Sequence, residues 1–301
     1  MKKFAMRVMK NIRNIINNET LMQQILINQG KILEEIHLKK ETKYLSDYEW
    51  KVFSQWGEDG IIHFLTKEVE IVNKTFIEFG VEDFYESNCR YLLMSSDWQG
   101  FVIDGSFENI SRLRASNFYW KYDLQALSAF VNVDNINELL SKSTFHRDLG
   151  ILSVDIDGND YHILSSINAF EPRIVISEFN PYFGKTRAIS VPYDPRFYRT
   201  EKHFSNLYYG ASIKALENLL GKKDYTLVGT GVMGCNAYFV RNNLMTDKLF
   251  TLSENPMRFN GHFRESRDEN GKLSLLRGEE RLGAIKGLPV LNVLNGNIED
   301  L

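Results

Sequence analysis

Cysteine is scarce. The 301 residues hold 2, Cys89 and Cys235, far apart and outside any CxxC pair. That excludes a disulfide framework and reads as free thiols in a reducing compartment, one disulfide being the alternative. Long apolar runs are missing as well. None reaches about 18 residues, so no segment qualifies as a membrane span. The start, MKKFAMRVMKNIRNIINNE, has a basic front, but Arg7, Lys10 and Arg13 interrupt any signal-peptide core. The expected location is the cytoplasm. A large charge of either sign is also lacking: the net value is −3, and nothing global argues for nucleic acid. What is present is an ordinary globular composition, 43% hydrophobic and 25% charged. It can fill a sizeable core in one domain with appendages or in two small domains.

Residues 1–42 differ from the rest. They contain no proline, no glycine before Gly30, and much Ile, Asn, Gln and Lys. Ile12, Ile15, Met22, Leu26, Leu33 and Ile36 follow a 3-4 spacing that Glu19 and Gln29 break. This predicts a helix with three candidate roles. It can form a short coiled coil that makes a homo-oligomer. It can be an amphipathic helix whose Lys2, Lys3, Arg7, Lys10 and Arg13 give peripheral contact with the inner membrane face. Or it packs on its own domain, residues 43–301.

From Thr75 onward strand and helix alternate. TFIEFG (75–80), GFVID (100–104), LGILSVD (149–155) and RIVISEF (173–179) read as strands. ESNCRYLLMSS (86–96), FENISRLRAS, INELLSK, YHILSSI and GASIKALENLLGKKDY (210–225) read as helices. TLVGTGV and NAYFVR (236–241) read as a closing strand pair, and GLPVLNV as a short strand. The expectation is an α/β, Rossmann-like, doubly wound and mostly parallel sheet with an antiparallel edge strand. Ligands of such sheets sit beyond the carboxyl ends of the strands.

Those ends are acidic. Strand one runs into Glu78, Gly80 and Glu82, and strand two into Asp104-Gly105-Ser106. The segment after FYWKY brings Asp123. The later strands bring Asp155 and Asp157, then Glu178 and Asn180. One acid at such a place is commonly a helix cap; a series repels itself unless a ligand or cation offsets it. Asp104, after the second strand, suits a ribose diol. No GxGxxG loop precedes it, and Glu78, Glu82 and Asp83 would repel a pyrophosphate. S-adenosylmethionine, with a ribose and a sulfonium but no phosphate, fits better than NAD or ATP.

FSQWGEDGII, FIEFGVEDFYESNCRYLL, WQGFVIDGS, ILSVDIDGNDYHIL, SEFNPYF and YYGASIKALENL…YTLVGTGVMGCNAYFVR, in that order, resemble FkbM-type class I methyltransferases. The resemblance spans roughly residues 52–241. It implies an S-adenosylmethionine-dependent enzyme of surface-polysaccharide or natural-product pathways. It further implies that Glu78 and Gly80 lie at the methionine end of the cofactor, Asp104 on the ribose hydroxyls and Asp123 near the adenine amino group. Gln55, Ser87, Asn88, Gly105 and Ser106 would complete the pocket. The glycine-rich first loop common in class I enzymes is absent, with Glu82 and Asp83 in place of small residues. Metal-dependent O-methyltransferases of this fold carry an acid after strand four and an acid-Asn pair after strand five. Asp155, Glu178 and Asn180 match those places and would suit Mg2+, Mn2+ or Ca2+. Without metal, Asp155, Asp157 or His203 are the candidate bases; Asp157 is alternatively the cap of helix 159–167. His203 falls in the irregular stretch 180–208, rich in aromatics beside Arg187, Arg196 and Arg199, which suits a sugar ring or a glycan-precursor acceptor. His162 reads as structural. Two other functions compete: a DxD-type glycosyltransferase built on VDID, and an inactive scaffold recruiting partners through residues 1–42.

Overall fold

The apolar strand segments have no room for solvent on either face, and the chain covers both with helices. The computed structural model describes residues 2–259 and 265–301, with side chains from residue 18 onward; His262 and Arg264, and the side chains of Lys2, Lys3, Arg7, Lys10 and Arg13, lie outside the described residues. A long helix α1 (Lys2–His37) leads to α2 (Glu58–Glu68). Then come β1 (Thr75–Phe79), α3 (Arg90–Ser95), β2 (Gln99–Asp104), α4 (Phe107–Ala115), β3 (Leu124–Ser128), α5 (Ile136–Ser141), β4 (Ile151–Val154), α6 (Asp160–Ser166) and β5 (Ile174–Glu178). After β6 (Ile189–Ser190) and α7 (Arg199–Lys202) follow α8 (Ile213–Gly221), β7 (Tyr225–Thr230), β8 (Asn236–Arg241) and α9 (Asp247–Ser253). The chain closes with α10 (Glu279–Ile285), β9 (Pro289–Asn292) and β10 (Ile298–Asp300).

Seven strands form one sheet in the order β3-β2-β1-β4-β5-β8-β7. The pairs from β3 to β5 are parallel, and β8 is antiparallel to both β5 and β7. The mostly parallel, doubly wound sheet expected from the sequence is therefore present, and its antiparallel strand, β8, stands one place in from the edge strand β7. Alternate residues of the strands feed opposite faces, as the period of two requires. Phe76, Val102 and Ile176 join Tyr48, Phe64 and Trp98 on one side. Ile77, Phe79, Ile103 and Val154 join Ile163, Leu216 and Leu220 on the other.

The antiparallel trio β10-β9-β6 draws the C-terminal segment onto the stretch 180–208. Phe183, Val191, Phe197, Leu207 and Tyr209 form a small core there with Ile285 and Val290. GLPVLNV thus supplies a strand, and the last 20 residues brace the irregular stretch rather than standing apart. The α1 helix packs Leu26, Ile27 and Leu33 against Trp50, Val52, Phe53 and Tyr91. Gly30 permits that approach, because a Cβ there would lie 2.6 Å from the Tyr91 ring.

Candidate active site

The carboxyl ends of β4 and β5 bring three carboxylates together. Ligand oxygens of Asp155, Asp157 and Glu178 all lie within 4.8 Å of one another. The route to this begins at Gly80, whose φ is +68° and where a Cβ would meet the Asp155 carbonyl oxygen at 1.7 Å. Only glycine lets the end of β1 pass this close to β4. The loop after β4 is held by Asp160, fully buried, whose carboxylate accepts from the Ile156 and Gly158 amides at 2.8 and 2.9 Å. Burial pushes its pKa up to about 6. Asp160 therefore does the loop-clamping work that a cap reading would give to Asp157. Asp157 itself, at φ +55°, turns outward.

Burial raises the pKa of Asp155 well above the carboxylate range, and the charges of Asp157 and Asp160 add to it. Glu178 is raised well above it in the same way, by burial and then by Asp155 and Asp157. Glu178 is 7% exposed and its Oε2 has no hydrogen-bond partner. A buried carboxylate oxygen without a partner is costly, and a cation held between the acids would satisfy it. The donor set is all oxygen, which suits a hard divalent ion.

The positive group in this acidic surround is Arg199 of α7. Its Nη1 meets Asp157 Oδ1 at 2.6 Å, a second Nη lies 3.7 Å from Glu265, and Nε donates to the Asn206 carbonyl at 2.8 Å. The guanidinium lies 3.9 Å above the ring of Tyr209, which is fully buried with an unpartnered hydroxyl. Asn180, the expected third metal ligand, has both ends of its amide engaged. Nδ2 donates to the Leu207 and Tyr209 carbonyls, and Oδ1 accepts from the Tyr182 amide. It fastens the 207–209 segment under Arg199, and Asp157 takes the third place among the clustered ligands.

His203 lies farther along the same stretch, with Nδ1 2.7 Å from Ser205 Oγ and its ring against Phe204. Burial lowers its pKa. Among the described contacts none joins it to the three acids. His162 is tied to the Val191 carbonyl at 2.9 Å, the structural role expected of it.

Around β1 and β2 the acids divide. Glu78 points below the rim. Its oxygens accept from Ser87 Oγ at 2.7 Å and from the Asn88 and Cys89 amides at 2.8 and 3.1 Å. This delays the helix start from the expected residue 86 to Arg90, because the chain before it wraps the carboxylate. Asn88 also donates to Ser153 Oγ, so Ser87 and Asn88 tie β1 to β4. Asp104 ends β2, with Oδ2 accepting from the Glu82 amide and Oδ1 from the Ser106 amide, both at 2.8 Å. Asn109 Nδ2 makes a third, long contact to Oδ1 at 3.5 Å; with about four acceptor positions on a carboxylate, one is open and the weak Asn109 contact can yield a second to a diol. Ser106 caps α4 through the Asn109 amide. Gly105 is exposed, and the nearest atom to a Cβ there is on the Phe130 ring at 3.5 Å. Gln55 is exposed in the loop that Asp59 gathers by accepting from the Val52, Phe53 and Ser54 amides.

One expected residue is at the wrong end of the sheet. Asp123 precedes β3 and accepts from the Gln99 side chain at 2.5 Å. Both residues stand at the amino edge, roughly 16 Å from Asp104 along β2 at about 3.3 Å per residue. The aromatic run before it forms a short turn, Tyr119–Lys121, and the third strand is the following LQALS. The carboxyl end of β3 carries Phe130, 51% exposed, instead of an acid. Sequence reasoning also passed over Asp160, although its spacing after Gly158 is that of a loop-clamping carboxylate, and Asn236, which pairs with Glu178 across β5 and β8 and donates to Glu58 at 3.4 Å.

No protein-family model matches the chain, and no curated protein does. Solved structures with a similar arrangement include an O-methyltransferase from Bacillus cereus in complex with S-adenosylhomocysteine, at 10% identity and a TM-score of 0.41 over 71% of this chain and 88% of that one. The N-terminal domain of EvdMO1 with S-adenosylhomocysteine bound gives 10% identity and a TM-score of 0.40 over 63% and 82%. TrmK from M. capricolum, in complex with the same product, gives 9% and 0.35 over 59% and 67%. Values this low say nothing about substrate or chemistry.

Proposed function

We propose that this chain is an S-adenosylmethionine-dependent O-methyltransferase of the FkbM-like group, acting on a hydroxyl of a sugar or glycan precursor. The observation that carries the reading is the pairing of Asp104 at the end of β2 with the acid cluster at the ends of β4 and β5, on one edge of one sheet. Asp104 has acceptor capacity for the ribose hydroxyls. Phe130, beside Gly105, offers an aromatic face to the adenine in place of Asp123. Gly80 lets the end of β1 lie against the loop after β4, and the acids gathered there favour a sulfonium over a phosphate.

Asp155, Asp157 and Glu178 are the residues that would hold a divalent ion, and such an ion, when bound, lowers the pKa of an acceptor hydroxyl. With no ion bound, the carboxylates of Asp155 and Glu178 are the proton acceptors nearest to hand as the hydroxyl attacks the methyl group, and burial makes both more basic than an ordinary carboxylate. Arg199, paired with Asp157 on the exposed side of the cluster, supplies hydrogen-bond donors that suit the hydroxyls of a polyhydroxylated ring.

Titration calorimetry with S-adenosylhomocysteine tests the reading. Binding in the micromolar range is expected for the wild type, weakened at least about tenfold in Asp104→Ala. Absence of binding to the wild type would sink the methyl-transfer reading and leave a scaffold. Binding of a labelled UDP-sugar without S-adenosylhomocysteine binding would transfer the acid cluster to glycosyl transfer.

A further inference from the structure

The α1 helix has two apolar faces, and its own domain uses one. Leu26, Ile27, Leu33 and Glu34 turn toward Trp50, Tyr91 and His63. About a third of a turn around the helix, Leu21, Met22, Ile25, Ile32 and Ile36 are each 52–63% exposed. Scattered exposed apolar residues are ordinary, but a contiguous stripe over four turns is not. The rhythm of this stripe is that of a two-helix seam. Met22, Ile25, Gln29, Ile32 and Ile36 step by 3 and 4, and Gln29, exposed, stands at the centre.

We propose that this face is a contact between two copies of this chain, with Gln29 of each helix facing its counterpart. Three observations lead there. The spacing is a seam two residues wide rather than the broad arc of a helix lying in lipid. Gln29 in the middle of that arc would place an unpaired amide in hydrocarbon, whereas across a twofold axis the two amides satisfy each other. Leu21, Met22, Ile25, Ile32 and Ile36 together can contribute at most roughly 1,100 Å² over two copies, the low end of the range, where contacts between copies are weak or transient. In the sequence the same rhythm runs back through Asn18, Ile15, Asn11 and Val8, and polar residues at such positions fix register at some cost in stability.

The seam differs from the one the sequence suggests. Leu26 and Leu33 fit a heptad but are committed to the domain, and Gln29, which interrupts the sequence heptad, lies inside the free one.

The full chain at tens of micromolar should have a light-scattering mass near twice 35.0 kDa. The Ile25→Glu/Ile32→Glu variant should fall to the monomer mass while keeping the wild-type circular dichroism and a cooperative melt, lowered only by the loss of association, since neither residue belongs to the domain core. Under mild oxidation Gln29→Cys should cross-link at least about tenfold faster than Lys31→Cys, which stands off the seam. A monomeric wild type, or a double variant that stays dimeric, would overturn the proposal. A monomer that sediments with anionic vesicles, and loses this in the double variant, would also overturn it and give the face to lipid.

Discussion

Asp157 and Asp160 stand three residues apart in one loop and do opposite things. Asp160 is sealed and holds two amides; Asp157 is exposed and meets Arg199. Asp160→Ala should therefore cost about 1–3 kcal/mol in urea denaturation, the penalty for two stranded buried donors. Asp157→Ala should cost under about 1 kcal/mol, because removing one of several like charges offsets the lost ion pair, and should still lose methyl transfer. Arg199 already supplies positive charge to the cluster, so Arg199→Gln should raise Mn2+ affinity several-fold by calorimetry; unchanged or weaker binding would show that the guanidinium and the ion do not compete. The acids of this site were legible in the sequence because they follow strands with clear apolar patterns. Their division of labour was not, since a carboxylate that clamps a loop and one that faces a ligand have the same letter and nearly the same place. What separates them here is a backbone turn at φ +55° in a non-glycine residue, which the sequence does not announce.

At the scale of elements, strands with long apolar runs were readable and the weak one was misplaced. LQALS has two polar residues in five and follows the aromatic FYWKY, which looks more strand-like by propensity. The aromatics there form a turn because Phe118 must reach the core beside Phe84. That one shift carried Asp123 to the far edge of the sheet. Asp123→Ala should accordingly leave S-adenosylhomocysteine affinity within about twofold, where an adenine-binding residue would lose tenfold or more. The stretch 180–208 was legible as irregular but not as braced. Its partner strands come from 289–300, and a pairing between segments about 100 residues apart leaves no local signal.

At the scale of the whole molecule, a net charge of −3 hides how unevenly the acids are distributed, with many of them on one rim. Some are buried at a cost that depends on pH. Burial pushes Asp59 up to about 6, against an ordinary value near 3.8, despite the amides that favour its charged form. Because the folded value is the raised one, its contribution is fully present below about pH 4 and is lost as pH rises through 6. Relative to Asp59→Asn, the wild type should lose up to about 3 kcal/mol between pH 4 and pH 7.5 in chemical denaturation. A difference that stays constant would mean that Asp59 is ionised throughout.

The reversed strand β8 has a further consequence. The parallel strands reach the acidic rim at their ends and leave it through crossover connections that carry helices. The strand β8 begins at the rim, with Asn236 beside Glu178, and is reached from β7 through the short turn 231–235. A hairpin turn can lengthen or shorten without moving either neighbour's helix. Variation in acceptor preference among proteins built this way should therefore concentrate in that turn, where new residues reach Glu178 while the sheet stays as it is.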